Sequence, residues 1–181
     1  MDLQKKDLPE SLELEGRRYR IHTDFRYFLR MSKLLKNREA KISEFDFMYV
    51  DEKPLDRVAG FQELCHFMSP LHKLPRTTND GQRHEPVIDY ELDADLIYAA
   101  FMQQYKIDLF DIKELHWHKF MALLMGLRDT KLTDVIGYRL YEPNGDTSEY
   151  AKNQQKLHDA WAIENTEKDE ALIEFEKFLG E

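Results

Sequence analysis

The sequence has little of several residue types, and each shortage excludes a class of site or structure. Cys65 is the only cysteine among 181 residues, which excludes an intramolecular disulfide and a thiolate metal cluster. A reducing cytoplasm is the compartment expected for such a chain. There is no glycine-rich phosphate loop and no G-x-S-x-G nucleophile elbow. No apolar run approaches the roughly 18 residues of a membrane span, and residues 1–16 lack the apolar segment of a signal peptide.

Charge is plentiful and mostly negative. There are 35 acidic against 26 basic residues, for a formal net charge of -9. Such a charge repels nucleic acid over most of a surface and suits an ordinary solvated surface or a basic protein partner. It would also suit a protein that mimics nucleic acid, although the spread of Lys and Arg along the chain argues against that. With 42% hydrophobic and 12% aromatic residues, the chain is expected to be globular.

The residues from Tyr90 to Leu127 organise the rest of the sequence. The helical spacing of apolar side chains predicts one helix over residues 93–105 and a second over 112–127, with Asp111 as the cap of the second. The second is apolar on nearly all sides, so other elements must cover it. We therefore predict a mainly α fold, a compact helical domain around a central helix pair with a small N-terminal β-hairpin.

The rest of the chain is arranged around that pair as a single domain, residues 1–181. Residues 8–22 form the hairpin and residues 23–140 the helical core, which contains a flexible loop at 73–86. Residues 147–181 form peripheral C-terminal helices that are thin in apolar residues.

The hairpin is predicted from alternating apolar residues on either side of a tight turn. Glu15-Gly16 supplies the turn, because Gly16 can take a positive φ. A two-residue loop places Leu12 opposite Tyr19. An isolated hairpin is marginally stable, so this face should pack on the helices.

A helix follows the hairpin over residues 25–36, with Thr23 or Asp24 as its cap. Its spacing predicts a buried stripe made of Phe25, Phe28, Leu29, Ser32 and Leu35.

The remaining segments give weaker signals. In residues 42–50 the apolar side chains alternate as in a strand, but the first residues of the segment could begin a helix. We favour a short helix. Pro54 suits the first position of the next helix. Residues 133–138 predict a short helix, and a polar helix is expected over 147–162. The apolar contacts of the helix over 147–162 are expected to be Tyr150, Leu157 and Trp161.

Two histidines only two residues apart, His116 and His118, raise the question of a metal site. On a helix, however, His116 and His118 would point about 200° apart, so one ion could not easily join them. We favour a packed His116 that hydrogen-bonds across the helix pair, and we expect neither a metal nor a cofactor.

Asp89, Glu91, Asp93 and Asp95 alternate along the chain and could gather for a cation or for acid–base chemistry. The apolar stripe that follows favours a helix start instead, with Asp93 as a cap that complements the helix dipole. Replacing a capping Asp93 by Ala would cost about 1 kcal/mol.

Cys65 beside His66 would offer a nucleophile and a base, but adjacent helical residues point apart and no third orienting group is evident. A buried core cysteine is favoured. The residue patterns therefore predict a protein without enzymatic activity.

An ordered pattern of residues in the second half of the chain carries a family resemblance; it is formed by Asp93, Asp95, Tyr98, Phe101, Tyr105, Asp108, His116, Trp117, Phe120, Gly137, Tyr138 and Arg139. Together with Leu8-Pro9 and Thr23-Asp24-Phe25-Arg26, the pattern resembles the "gene product fifteen" family of tailed phages and prophages of Gram-positive bacteria. In that family a glycine often follows the position of Tyr105 and a second aromatic often follows that of Trp117. Here those places hold Lys106 and His118.

The resemblance implies a gene in the tail module, close to the tape-measure gene. It therefore implies a non-enzymatic accessory of tail assembly, a chaperone-like binder of the tape-measure protein in the host bacterial cytoplasm. The alternatives are a minor structural tail component retained in the virion and an acidic host-directed interaction protein. The family supplies no catalytic residues.

A chaperone for a long helical partner needs an apolar surface that the partner can cover. The amphipathic segment 166–179 is our candidate. It could dock on its own core, on a sister subunit or on the tape-measure chain through Leu172, Phe175, Phe178 and Leu179.

Overall fold

The computed structural model describes residues 7–69, 87–143 and 145–163. Over these residues the chain is mainly helical, with a small antiparallel hairpin at its N-terminal end, which confirms the predicted fold class. The elements in chain order are β1 (Ser11–Leu14), β2 (Arg17–Arg20), α1 (Phe25–Leu35), a 3-10 helix (Ile42–Met48), α2 (Arg57–Met68), α3 (Ala94–Tyr105), α4 (Trp117–Met125), α5 (Lys131–Arg139) and α6 (Glu149–Trp161).

The described residues divide into two compact units. Unit 1 contains residues 7–69 and 113–122, and unit 2 contains residues 87–112 and 123–163. Each unit is assembled from segments that are distant in sequence. The single-domain organisation stays a prediction, and residues 73–86 and 166–179 lie outside the described residues.

The hairpin forms in the predicted register. Leu12 pairs with Tyr19, and the turn residues Glu15 and Gly16 have φ values of 52° and 76°. Leu12 is buried and β1 lies against α2, so the hairpin face packs on a helix of unit 1 as expected.

The cap of α1 is also as predicted, whereas its buried stripe is not. The Asp24 carboxylate accepts a hydrogen bond from the backbone N–H of Arg26 at 3.1 Å. Of the predicted stripe only Phe25 and Phe28 are buried, and Met31 is the third buried residue of the helix. Positions 29, 32 and 35 are half-buried, so the buried face is rotated toward Met31.

The segment after α1 is helical, but the start of α2 was predicted wrongly. Residues 42–48 form the 3-10 helix, in agreement with the short helix that was favoured. Helix α2 begins at Arg57 and not at Pro54, because the Asp56 carboxylate caps it by accepting the N–H of Ala59 at 2.9 Å. Pro54 is buried in front of the helix.

The start of α4 was also predicted wrongly, since it begins at Trp117 and not at Ile112. Asp111 caps no helix. The carboxylate of Asp108 instead closes a turn by accepting the N–H groups of Phe110 at 2.9 Å and of Asp111 at 3.3 Å.

A pairing between distant segments of unit 1 explains the later start of α4. The carbonyl of Leu115 accepts the N–H of Phe25 at 2.9 Å, and the carbonyl of Thr23 accepts the N–H of Trp117 at 2.7 Å. The Leu115 N–H donates to the Asp24 carboxylate at 2.9 Å. Backbone groups that are paired in this way cannot form the hydrogen bonds of a helix, so α4 begins only after them.

The last two helices of unit 2 are close to their predicted bounds. Helix α5 is capped by Thr130 and extends one residue past Tyr138. Helix α6 is capped by Ser148, and Ala151 is its buried residue. Tyr150, predicted to be an apolar contact, is 70% exposed. It lies one position before Ala151 and therefore points about 100° away from the buried face.

The core of unit 1 is an aromatic cluster around α1 and the start of α4. Phe28 stacks on Trp117 with ring centroids 5.0 Å apart, and Phe25 stacks on Phe120 at 4.7 Å. The indole N–H of Trp117 donates to the Met68 carbonyl at 2.8 Å. The one polar atom of this buried ring is thus satisfied.

Gly60 in α2 sits where a side chain cannot fit. A Cβ at this position would lie 2.7 Å from the Tyr49 hydroxyl oxygen and 2.8 Å from Pro54 Cγ. The proline ring is buried and rigid, so it cannot move aside. We expect Gly60→Ala to lower the free energy of unfolding by about 1–3 kcal/mol, although alanine is the better helix former.

Gly137→Ala is the matched control, since a Cβ at that helical glycine meets nothing within 4 Å. It should raise the free energy of unfolding by up to about 1 kcal/mol. Urea unfolding followed by circular dichroism measures both, and a stabilising Gly60→Ala would contradict this account of α2.

Candidate functional site

A buried ion pair joins Asp93, in the acidic run that leads into α3, to Arg139. Arg139 Nη1 and Nη2 donate to Asp93 Oδ2 and Oδ1 at 2.6 and 2.9 Å. The two side chains are only 7% and 2% exposed. Such a two-pronged pair in a protected setting is among the strongest polar contacts that side chains make.

The neighbouring backbone satisfies the remaining polar atoms of this pair. Arg139 Nε donates to the Trp161 carbonyl at 2.7 Å and Nη1 to the Val87 carbonyl at 3.0 Å. Asp93 Oδ2 also accepts the N–H of Asp89 at 2.8 Å. The pair therefore joins the residue before α3 to the C-terminal ends of α5 and α6 within unit 2.

This arrangement corrects the predicted role of Asp93. The residue does stand at the cap position of α3, but its side chain makes no capping hydrogen bond. Asp89 closes the preceding turn instead, by accepting the N–H groups of Glu91 and Leu92. The alternating acids do not gather, because Asp89 and Asp93 are buried whereas Glu91 and Asp95 are exposed.

Several other residues of the family pattern hold unit 2 together. Phe101 is fully buried, and the Tyr105 hydroxyl donates to the Leu123 carbonyl at 2.8 Å. The Tyr98 hydroxyl donates to Asp108 at 3.1 Å, which braces the turn after α3. These contacts give the pattern a structural role.

The place where the family often has glycine adopts a glycine-like conformation. Lys106 ends α3 with φ 58° in the left-handed region, and its N–H donates to the Phe101 carbonyl. Glycine reaches this region without a steric penalty, whereas lysine bears a cost.

Tyr138 and Gly137 complete the pattern at the C-terminal end of α5. Tyr138 is half-buried, and the Lys131 ammonium lies 5.2 Å from the centre of its ring. Gly137 is exposed. No close approach in the described residues explains a glycine there.

His116 and His118 do not point apart, because His116 precedes α4 and is not helical. Their ring centroids are 5.3 Å apart, and Phe67 lies 4.8 Å from the His118 ring. His116 Nδ1 accepts the N–H of His118 at 3.2 Å, and its Nε2 lies 2.9 Å from the Pro9 carbonyl. A carbonyl can only accept and an N–H can only donate, so His116 is the neutral tautomer with the proton on Nε2.

His118 is the more deeply buried of the two at 4% exposure. Its Nε2 has no hydrogen-bond partner among the described residues. Burial, with repulsion from His116 as a smaller cause, lowers the pKa of His118 to about 4. Burial likewise lowers the pKa of His116. Neither ring is expected to carry a charge at neutral pH.

Cys65 and His66 do not form a nucleophile and base. Burial raises the pKa of the Cys65 thiol to about 11, which keeps it protonated at neutral pH. His66 points away, with its Nδ1 3.4 Å from Glu63. Over the described ranges no group of three or more His, Cys, Asp or Glu side chains is arranged to hold a metal ion.

Several large apolar side chains of both units face solvent. In unit 1 Leu55 is 94% exposed, and in unit 2 Phe110 is 82% exposed with its ring 5.2 Å from that of Tyr98. These were missed from the sequence, where apolar residues beside a helix are assigned to the core. None of the helices in the described part of the chain is long and apolar enough to cross a membrane. The predicted contact residues Leu172, Phe175, Phe178 and Leu179 lie outside the described residues.

Removing one partner of the buried ion pair should be strongly destabilising. We expect Arg139→Met to lower the free energy of unfolding by about 3–5 kcal/mol, because Asp93 is left buried without a counter-charge. Asp93→Asn combined with Arg139→Met removes both charges and should recover part of that loss. Arg128→Met changes an exposed arginine of the same unit and should have little effect. If Arg139→Met and Arg128→Met had equal midpoints in urea unfolding, the stabilising role of the ion pair would be refuted.

The buried histidine should make unit 1 sensitive to acid. In the unfolded chain a histidine titrates near pH 6.5, so the unfolded state binds more protons than the folded state as the pH falls toward 4. Stability is therefore lost on acidification. Between pH 7 and pH 4.5 the wild type should lose free energy of unfolding. We expect His118→Phe to lose about 2 kcal/mol less over the same range.

The matched control for His118→Phe is His66→Gln, which changes an exposed histidine. Urea unfolding at the two pH values measures the difference for each variant. If His118→Phe and the wild type lose the same free energy on acidification, the buried histidine is not the cause.

Residues 5–163, most of the chain, match the family described as Bacteriophage Gp15 protein. No curated protein and no solved structure matches the chain. The matched range includes both described units and the ion pair between Asp93 and Arg139. The chain therefore belongs to the Bacteriophage Gp15 family, as its sequence pattern predicted.

Proposed function

We propose that this protein is a non-enzymatic accessory of phage tail assembly that binds the tape-measure chain in the host cytoplasm and keeps it soluble. The observation that carries the proposal is the family match over residues 5–163. The tail-module position that the family resemblance implies supplies the partner.

The surface supports a binding role in physical terms. A long helical partner with exposed apolar side chains aggregates unless those side chains are covered, and covering them requires apolar surface on the binder. Leu55 and Phe110 offer such surface at 94% and 82% exposure. Each stands beside charged neighbours, which keeps the binder itself soluble.

The net charge of -9 adds an electrostatic preference. It favours basic segments of a partner over acidic ones and speeds encounter with them. The same charge disfavours nucleic acid as the partner.

Co-expression with the tape-measure protein of the same genome tests the proposal directly. We expect the tape-measure chain to move into the soluble fraction and to co-purify with this protein. Leu55→Ser and Phe110→Ser should each weaken the complex by up to about tenfold, the effect of losing a well-covered apolar contact. Lys152→Ser, an exposed polar change on α6, is the control and should leave binding unchanged.

The outcomes separate the alternatives. Leu172→Ala with Phe175→Ala tests the C-terminal segment in the same assay. A tape-measure chain that stays insoluble and unbound would exclude the chaperone role. Mass spectrometry of purified particles then decides whether the protein is a minor tail component, since an assembly chaperone should be missing from the finished virion.

A further inference from the structure

A polar pocket opens at the base of the hairpin in unit 1. Its volume is about 340 Å³, within the range of small ligand sites. Thr23, Leu115 and His116 line it, and they are brought together by the backbone pairing that precedes α4. The position of these residues is therefore fixed by the fold.

Thr23 presents an unused hydrogen-bonding group to this pocket. The residue is only 7% exposed, and its backbone carbonyl is occupied by the N–H of Trp117. Its hydroxyl has no hydrogen-bond partner among the described residues. Among the described residues His118 Nε2 is the only fully buried side-chain polar atom without a partner, so the Thr23 hydroxyl is accessible from the pocket. It is therefore available to a ligand atom there.

The rim of the pocket is negatively charged. Among the described lining residues, Asp7, Glu10 and Glu114 supply three carboxylates against the one ammonium of Lys119. None of these four side chains makes an ion pair or a hydrogen bond with another described residue. The neutral His116 adds no charge, because its Nδ1 accepts the N–H of His118 while its Nε2–H donates to Pro9.

We propose that this pocket binds the guanidinium group of an arginine side chain from a protein partner. Within the described part of the chain these carboxylates are not arranged as a metal-ligand group. A planar guanidinium has five donors and reaches separated acceptors, whereas an ammonium acts as a point charge. Leu8 and Leu115 provide apolar lining for the methylene stem of an arginine.

Each lining group then has a defined task. The Thr23 hydroxyl accepts from the guanidinium at the floor of the pocket, and Glu10 and Glu114 neutralise its charge at the rim. The inference goes beyond the proposed function, since an arginine probe tests it whether or not the tape-measure chain is the partner.

A titration with N-acetyl-L-arginine N-methylamide, followed by nuclear magnetic resonance of the full chain at pH 7, tests the pocket. We expect saturable shifts of the Thr23, Leu115 and His116 signals. N-acetyl-L-citrulline N-methylamide has nearly the same shape without the charge, and it should bind at least about tenfold more weakly. Equal affinity for the two probes, or no shift at Thr23, would overturn the proposal.

Variants of the rim and floor separate the pocket from the general acidity of the surface. Glu10→Gln with Glu114→Gln should weaken the arginine probe about tenfold, and Thr23→Val should weaken it about threefold. Glu13→Gln with Glu91→Gln makes the same change of net charge at exposed positions that do not line the pocket, and it should leave binding unchanged. If both double variants weaken the probe equally, the attraction comes from net charge and the pocket is not a site.

Discussion

The ion pair between Asp93 and Arg139 is the constraint on which unit 2 depends. Two charges taken out of water cost several kcal/mol each unless almost every polar atom is paired, and here two backbone carbonyls and one N–H complete the pairing. The arrangement fixes the start of α3 and the ends of α5 and α6 through a single guanidinium. It explains how α6 keeps its place although Ala151 is its buried residue. Polar contacts here replace the apolar burial that usually fixes a helix.

Unit 1 depends in a similar way on a pairing between distant segments. The Asp24 carboxylate serves two backbone N–H groups at once, that of Arg26 in its own helix and that of Leu115. This pairing sets the position at which α4 begins and so directs Trp117 into the aromatic core. It also brings Thr23 beside Leu115, which creates the floor of the pocket. The fold and the proposed arginine site therefore share one cause.

Local signals predicted local features of the structure, and the errors came from contacts between distant residues. The turn at Glu15-Gly16 fixed the hairpin register, since two residues and their φ values decide it. The start of α4 could not be predicted, because helical spacing continues through Ile112 and the pairing partner lies about 90 residues earlier. Asp93 was wrongly assigned as a cap because its actual partner, Arg139, is 46 residues away and no local pattern indicates the contact. The pocket was missed because no spacing in the sequence brings Glu10 and Glu114 together.

The two kinds of surface would contribute differently to binding a partner. Exposed apolar side chains such as Leu55 provide affinity that salt does not screen, but they do not distinguish one apolar segment from another. An anionic pocket adds less affinity in water, because the gain is offset by desolvation, yet it fixes which residue of the partner enters and in which register. Under the proposed function, a chaperone that is absent from the finished virion must leave its partner again, so it needs moderate affinity with a defined register. Weak apolar contacts combined with one charged pocket meet that requirement better than a large hydrophobic groove, whose slow dissociation would hinder release of the partner.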